Sequence, residues 1–305
     1  MAFSLLLLTY FASSVNMLRL IEYRIPLPVS VEEYKLAQLY RVIQESKMIT
    51  DNNEGVEIIT NEPFEGKIPK INLTRKGQYT HKIFHLHSKI PRFVRMLAPS
   101  GSLEVHEKSW NSYPIIYTEI SNPYMKDSFY VRIETTCRSG VNDLENVFQL
   151  HGTRLQMREV RRIDIAEGKI DPKEDPTLFK SQKTGRGPLD KDHWKENTNL
   201  YPTVTCYKLV DIKFRWSGLE KRVESMLEKF YTRLFIDFNR RLFTTIDEWY
   251  GMTLSDIRAL EEKAKQELDQ MRGKSPQLLG LSTINKRIEK ENKALSINSQ
   301  KSRKK

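Results

Sequence analysis

Hydrophobic and polar residues alternate with a period of two in TCYKLVDIKFRWSG (205–218), a pattern that predicts a half-buried β-strand. One face of this strand is formed by Cys206, Lys208, Val210, Ile212, Phe214 and Trp216. Lys208 therefore lies on the apolar face. Burying an unpaired ammonium is costly, so we expect Lys208 to be paired, to have a shifted pKa or to face an anion.

The rest of the chain predicts strands first and long helices last. Further strands are predicted in LRLIEYRIPL, QYTHKIFHLHS, SLEVHEKSWN, PIIYTEIS, SFYVRIETTC and REVRRIDIA, and EGVEIITNEPF predicts a strand that ends in a turn at NEPF. A capping box of Ser30 and Glu33 predicts a helix N-terminus. A second box, of Thr253 and Asp256, follows a helical stretch over 219–250. This order predicts an α+β fold, with one antiparallel sheet and helices on one of its faces.

Threonine or lysine also recurs on the otherwise apolar faces of three other predicted strands. These residues are Thr80 and Lys82, Thr118, and Thr135. Together with Lys208 they indicate an interior pocket that is apolar along most of its length and polar at one end. Lysines and hydroxyls suit a phosphate and a polyhydroxyl group, so the predicted ligand is a phospholipid. The alternative is a sheet face that is partly open to water.

The composition is that of a globular protein with a basic surplus. Of 305 residues, 39% are hydrophobic and 29% are charged, and the net charge is +11. This charge favours an acidic partner, such as nucleic acid or an anionic membrane surface. Two cysteines, Cys137 and Cys206, are too few for a disulfide framework, which favours a reducing cytosol.

Both ends of the chain differ from its middle. Residues 1–16 are apolar, but they lack a basic leading segment and are too few to span a bilayer. We interpret them as an extension outside the fold; a targeting or anchor segment is the alternative. Residues 276–305 form a basic tail that is predicted to be disordered. The domain itself is predicted to cover 17–275.

Seven segments between about Met17 and Arg272 together carry a family resemblance. They are IEYRIPLPVSVEEYKLAQLY, EGVEIITNEPF, GQYTHKIFHLHSKIPRFVRMLAP, HEKSWNSYP, FKSQKTGRGPL, TCYKLVDIKFRWSGL and MTLSDIRALEEKAKQELDQMR. In this order they closely resemble the class I phosphatidylinositol transfer proteins. The resemblance implies a START-like, helix-grip fold, in which a curved antiparallel sheet and long helices enclose one lipid. It also implies a non-enzymatic protein without cofactor that exchanges phosphatidylinositol and phosphatidylcholine between membranes.

The resemblance assigns a role to each residue that matches the family's binding motifs. It implies inositol contacts at Thr80, Lys82, Asn111 and Glu261, and phosphate contacts at Gln38, Thr118, Thr135 and Lys208. It further implies an acyl-chain contact at Phe238, membrane docking at Trp216 and phosphorylation at Ser181. Lys208 is thus expected to face a lipid phosphate. We predict a cytoplasmic monomer that contacts anionic membranes transiently.

The chain departs from the family pattern at three positions. Ile116 occupies the position of a cysteine that lines the family's pocket, and Tyr231 that of a glutamate. The family's docking tryptophan pair is reduced to Trp216 and Ser217, so weaker docking, or docking helped by the basic tail, is expected. The alternative for Trp216 is packing in the core, because it shares a face with Phe214.

Other functions have less support. A phosphatidylinositol sensor or presenter that supplies phosphoinositide kinases is the alternative to bulk transfer. Nucleic-acid binding is not predicted, because the lysines are concentrated in the tail and no aromatic–basic stripe occurs. No metal site is predicted either. Although His81, His85 and His87 share one strand face, that face points outward and no further ligand completes a set.

Overall fold

Eight strands form one open sheet in the computed structural model, in the order β2-β3-β4-β5-β6-β8-β1-β7. They are β1 (Arg19–Leu27), β2 (Gly55–Ile68), β3 (Leu73–His85), β4 (Glu104–Ser112), β5 (Ile115–Ser121), β6 (Phe129–Ser139), β7 (Arg158–Arg162) and β8 (Val204–Phe214). The structure describes residues 19–51, 54–71, 73–86, 88, 90–96, 99, 103–196 and 199–273. The predicted extension 1–16 and the predicted tail 276–305 lie outside these ranges.

The long helices cover one face of the sheet, which we call the inner face. The helices are α1 (Val31–Met48), α2 (Arg92–Arg95), α3 (Gly152–Met157), α4 (Glu220–Thr244), α5 (Ile246–Trp249) and α6 (Leu254–Met271). The short helix α3 lies on the outer face, where its Arg154 donates to Asp211 of β8. Both predicted capping boxes are present, at the N-termini of α1 and α6. Helix α4 contacts β8 and β1, whereas α6 contacts β2 and α1. The α+β prediction is confirmed, and the helical stretch predicted over 219–250 is divided at Thr245.

The prediction of a purely antiparallel sheet is wrong at one edge, where β7 pairs with β1 in parallel. The reason is the connection that follows β6, which crosses the outer face of the sheet before β7 begins. Leu150 of this connection packs there against Leu20 and Leu209. Both β6 and β1 are antiparallel to β8, so they run in the same direction. A chain that leaves β6 and crosses the whole outer face enters β7 in that same direction, and β7 is therefore parallel to β1.

A buried ion-pair network ties β7 to the outer side of β1. Glu22 is fully buried and accepts hydrogen bonds from Arg24 Nε at 2.7 Å and from Arg158 Nη1 at 2.8 Å. The guanidinium of Arg24 also donates to Asp143 at 2.6 Å. One buried carboxylate thus bridges two cations from different strands, which fixes β7 against β1.

One disulfide, which the sequence analysis did not predict, joins Cys137 of β6 to Cys206 of β8. The two residues are directly opposite in the antiparallel ladder, with their Cα atoms 4.2 Å apart. Both are buried within the main core. Their pairing depends on a strand register between distant parts of the chain, so the count and spacing of cysteines could not reveal it.

Candidate functional site

The alternation predicted for β8 is confirmed. Val210, Ile212 and Phe214 belong to the core on the inner face, whereas Leu209 lies in the small cluster on the outer face. Residues paired across neighbouring strands share a face of the sheet. Because Lys208 pairs with Thr135, and the pairs Ile116–Thr135 and Thr118–Ile133 join β5 to β6, all the predicted polar residues of these strands face inward.

Lys208 is a deeply buried cation, and none of the ion pairs in the described part of the chain includes it. Its Nζ atom lies 3.3 Å from the Thr135 hydroxyl and 5.4 Å from the centroid of the Phe235 ring. Part of its side chain nevertheless stays accessible, so it borders an interior space rather than close-packed protein. Burial lowers the pKa of the Lys208 ammonium to about 8, because the charged form loses its hydration. These surroundings suit an anion.

Binding of an anionic lipid should therefore be linked to proton uptake. Without a ligand Lys208 loses its proton near pH 8, whereas an exposed lysine keeps it to about pH 10.4. A phosphate diester beside the ammonium stabilises the charged form and raises the pKa again. We expect the lipid held by the protein, at equilibrium with vesicles, to decrease as the pH rises from about 8 to about 10.

The control for this experiment is Lys208→Met, in which the decrease should disappear because no titrating ammonium remains. Phosphatidylinositol and phosphatidylcholine should show the same pH dependence, since both contain the phosphate. A wild-type profile that is flat over this range would contradict an anion at Lys208.

The other predicted phosphate residues lie on neighbouring elements. Thr118 of β5 is adjacent to the Thr135–Lys208 pair, and its hydroxyl is 3.0 Å from that of Ser109 on β4. Gln38 is buried on α1, the helix that contacts β6, and its amide donates to the carbonyl of Lys35. Three of the four predicted phosphate residues thus lie side by side on the inner face.

Lys82, predicted to contact inositol, is buried on the inner face of β3 and forms an ion pair that the sequence analysis missed. Its Nζ atom lies 3.2 Å from Glu107 Oε1, directly opposite on β4. Glu107 is two residues before Ser109 and four before Asn111, so the period-two pattern of HEKSWN places it on the same face. Glu107 could therefore have been identified from the sequence, but only threonine and lysine were considered on these faces.

Asn61 joins two of the predicted inositol residues through one side chain. Its amide donates to Glu261 of α6 at 2.9 Å, and its carbonyl oxygen accepts from Thr80 at 3.3 Å. The same oxygen accepts from Gln78, which is opposite Asn111 in the ladder. Thr80, Asn111 and Glu261 are thereby brought to one polar end of the inner face. Asn61 was missed because NEPF was interpreted as a turn, whereas β2 continues to Ile68.

The remainder of the inner face is apolar, and several side chains that pack against it are only half-buried. Phe238, predicted to contact acyl chains, is half-buried on α4 and packs against the core. Ile133, Leu234 and Met226 are likewise half-buried core neighbours. A face with a polar end and accessible apolar side chains can accommodate an amphipathic molecule.

Trp216 lies just after β8, where the chain turns towards α4. It is half-buried and packs against the core, so its surroundings fit both interpretations that the sequence allowed. The preceding residue, Arg215, is exposed. Nearby in sequence, the guanidinium of Arg222 stacks on the ring of Phe93 on α2, with its central carbon 3.8 Å from the ring centroid. Docking through Trp216 stays a prediction.

Ser181 is buried, with only 2% of its surface exposed. Its hydroxyl donates to Asp247, just after the N-terminus of α5, and accepts from the hydroxyl of Thr184 at 2.8 Å. Burial alone would raise the pKa of the Asp247 carboxyl, but the bond from Ser181 and the backbone N–H groups of Gln182 and Lys183 outweigh it, so this pKa is lowered. A kinase could reach the serine only after this segment had moved.

Two features are absent from the described residues. No helix among them has the length and apolarity to cross a membrane. No group of three or more histidine, cysteine or acidic residues among them could hold a metal ion. His81 and His85 lie on the outer face, and His87 lies outside the described residues.

Known proteins resemble the chain over almost all of the sheet and its helices. The profile of a family described as "Phosphatidylinositol transfer protein" matches residues 18–266. The chain is 46% identical over 261 residues to the phosphatidylinositol transfer protein beta isoform of Rattus norvegicus, which covers 83% of this chain and 94% of the relative. It is 41% identical over 252 residues to phosphatidylinositol transfer protein 1 of Dictyostelium discoideum, covering 81% and 93%.

Proposed function

The chain belongs to the phosphatidylinositol transfer protein family, a family of lipid carriers, and we propose that it binds one phospholipid between the inner face and helices α1, α4 and α6. It exchanges phosphatidylinositol and phosphatidylcholine between membranes. The observation that carries this proposal is Lys208, a buried cation beside a hydroxyl and without an acidic partner among the described residues. A phosphate diester supplies the missing negative charge.

Within this proposal the polar residues divide into two sets. Phosphate is held by Lys208 together with Thr135, Thr118 and Gln38, which lie on β6, β5 and α1. The inositol ring is held by Thr80, Lys82, Asn111 and Glu261, and the acyl chains extend along the apolar part past Phe238. The division is supported by the separate hydrogen-bond networks around Lys208 and around Asn61.

Mass spectrometry of lipid that co-purifies with the protein tests the proposal, followed by transfer of labelled lipid between vesicles. One phospholipid per chain and transfer of both lipids are expected. Lys208→Met should lower the retention of both, whereas Lys108→Met, on the outer face of β4, should leave it unchanged. Protein that neither carries nor transfers phospholipid would contradict the proposed function.

The proposed cycle needs binding and release, and no catalysis. We place the protein in the cytoplasm as a monomer that touches anionic membranes transiently and supplies lipid to phosphoinositide kinases. Release of the lipid requires one of the elements that enclose it to move, and α6 is the candidate because it carries Glu261. Among the described residues, Glu267 of α6 pairs with Lys47, and Arg272, which caps α6, pairs with Glu57. The segment LAPSG, mostly outside the described residues, is the expected partner in this motion.

Docking through Trp216 has a measurable consequence. The indole body enters the interfacial region of the bilayer, while exposed cations such as Arg215 face anionic headgroups. Trp216→Ala should therefore reduce binding to anionic vesicles and slow transfer, with little change in melting temperature or bound lipid. Ser217→Trp should increase vesicle binding, because it adds a second interfacial anchor.

The opposite pattern would identify Trp216 as a core residue. In that case the alanine variant should lose about 3–5 kcal/mol of unfolding free energy, and the Ser217→Trp variant should bind vesicles like the wild type. The basic tail would then be the better candidate for membrane contact.

Phosphorylation at Ser181 is proposed to act by opening the segment that buries it. A phosphate there would stand beside the Asp247 carboxylate, and two anions so close repel each other strongly. The modified segment could not return to its present contacts with α5.

A further inference from the structure

The Cys137–Cys206 disulfide is the immediate neighbour of the proposed phosphate site. In the ladder between β6 and β8, the pair Cys137–Cys206 lies two residues from the pair Thr135–Lys208. Side chains two residues apart on a strand point to the same face, so both pairs face inward. The two cysteines are buried, at 3% and 0% exposure, whereas Lys208 borders the interior space. The sulfurs thus lie in the packed row next to the phosphate residues.

We propose that Cys137 and Cys206 form a reversible thiol–disulfide site that regulates phospholipid binding by positioning Thr135 and Lys208. The inference rests on the proposed function, because it takes the phosphate at Lys208 as its target. Oxidised protein holds the two strands in the geometry described above. Reduced protein holds both phospholipids less tightly.

The redox state of the two cysteines affects Thr135 and Lys208 because bonded and non-bonded sulfur atoms require different distances. A disulfide places its sulfurs about 2 Å apart. Two thiols in non-bonded contact need about 3.5–4 Å, as other heavy atoms do. Both side chains are covered by neighbouring residues of the core, so reduction is expected to rotate them or to spread the strands. The nearest side chains along the same face are Thr135 and Lys208, whose 3.3 Å contact is therefore disturbed first.

The chemistry is ordinary thiol–disulfide exchange. In reduction, two thiols of a small molecule or of a protein dithiol attack in turn, the S–S bond breaks, and both cysteines gain a proton. The reductant gives up two electrons and leaves as a disulfide. In oxidation, oxidised glutathione accepts two electrons and two protons and leaves as two glutathione thiols, while the Cys137–Cys206 bond forms.

Burial decides when this exchange can happen. A thiolate must approach one of the two sulfurs along the S–S axis, and the closed protein leaves no path to either. The interior space that borders Lys208 offers the nearest route, and it opens when lipid leaves. Exchange with a reductant should therefore be slow in lipid-filled protein and faster while the protein exchanges lipid with vesicles.

The test uses the full chain in two states, oxidised with glutathione disulfide or reduced with dithiothreitol, with free thiols counted in each. Each state is equilibrated with vesicles that contain labelled phosphatidylinositol or labelled phosphatidylcholine. We expect reduction to lower the bound amount of both lipids about fivefold, the loss of one net hydrogen bond to the phosphate. The ratio of the two lipids should not change, and reoxidation should restore binding.

The double variant Cys137→Ala/Cys206→Ala should not respond to either reagent. If this variant does not fold, the reversal of the effect in wild-type protein replaces it as the control. Three results would overturn the inference: cysteines that stay thiols in oxidised glutathione, equal lipid binding in both states, or an effect on only one headgroup. If neither state binds phospholipid at all, the proposed function itself is wrong.

Discussion

Lys82→Ala should abolish most phosphatidylinositol binding while phosphatidylcholine binding persists. In the proposed site Lys82 donates to hydroxyls of the inositol ring, which phosphatidylcholine lacks, and both lipids share the phosphate near Lys208. A hydrogen bond from a charged donor contributes about 1.5–3 kcal/mol. The ratio of phosphatidylinositol to phosphatidylcholine bound from mixed vesicles should therefore fall about ten- to a hundredfold.

The ion pair with Glu107 requires a matched control. Removing Lys82 alone leaves the Glu107 carboxylate without its 3.2 Å partner, which could weaken the fold as a whole. Lys82→Met combined with Glu107→Gln removes both charges and keeps both volumes. This double variant should also lose phosphatidylinositol selectively. Equal loss of both lipids in the double variant would place Lys82 at the phosphate or in the folding core instead.

Glu22→Gln should produce the largest loss of stability on the outer side of the sheet. The substitution leaves the buried guanidinium groups of Arg24 and Arg158 without their shared carboxylate. Each guanidinium already has one buried nitrogen without a hydrogen-bond partner in the described structure, so neither can compensate. Breaking a buried pair on one side costs about 3–5 kcal/mol, which urea unfolding at constant lipid content should measure.

Glu145→Gln is the control for this prediction. Glu145 also bonds to Arg158, at 3.2 Å, but its side chain is 75% exposed. Exposed ion pairs contribute about 0–1 kcal/mol, so this variant should unfold close to the wild type. If the two variants were destabilised equally, burial would not be what makes Glu22 important.

Local sequence patterns predicted the elements and one face of the site well. The alternation on β8 placed Lys208 among core residues, and the capping boxes at Ser30 and Thr253 marked the starts of α1 and α6. These features are local, because side chains two or three positions apart determine them. They required no knowledge of which strands pair.

The features that were missed depend on partners distant in sequence. The parallel pairing of β7, the disulfide between β6 and β8 and the bond between Asn61 and Glu261 all require the sheet order or the docking of α6. Glu107 is different, since its position on β4 was predictable and its meaning was not. An inward glutamate becomes informative only when Lys82 is found opposite it.

The position of β1 in the sheet has a consequence for folding during synthesis. β1 lies between β7 and β8, which follow it by most of the sequence. While the ribosome is still adding the middle of the protein, both hydrogen-bonding edges of β1 and its apolar side stay unpaired, which is a state prone to association. Because Lys208 arrives with β8 and Glu261 only with α6, the proposed phospholipid site is complete only when synthesis is nearly finished.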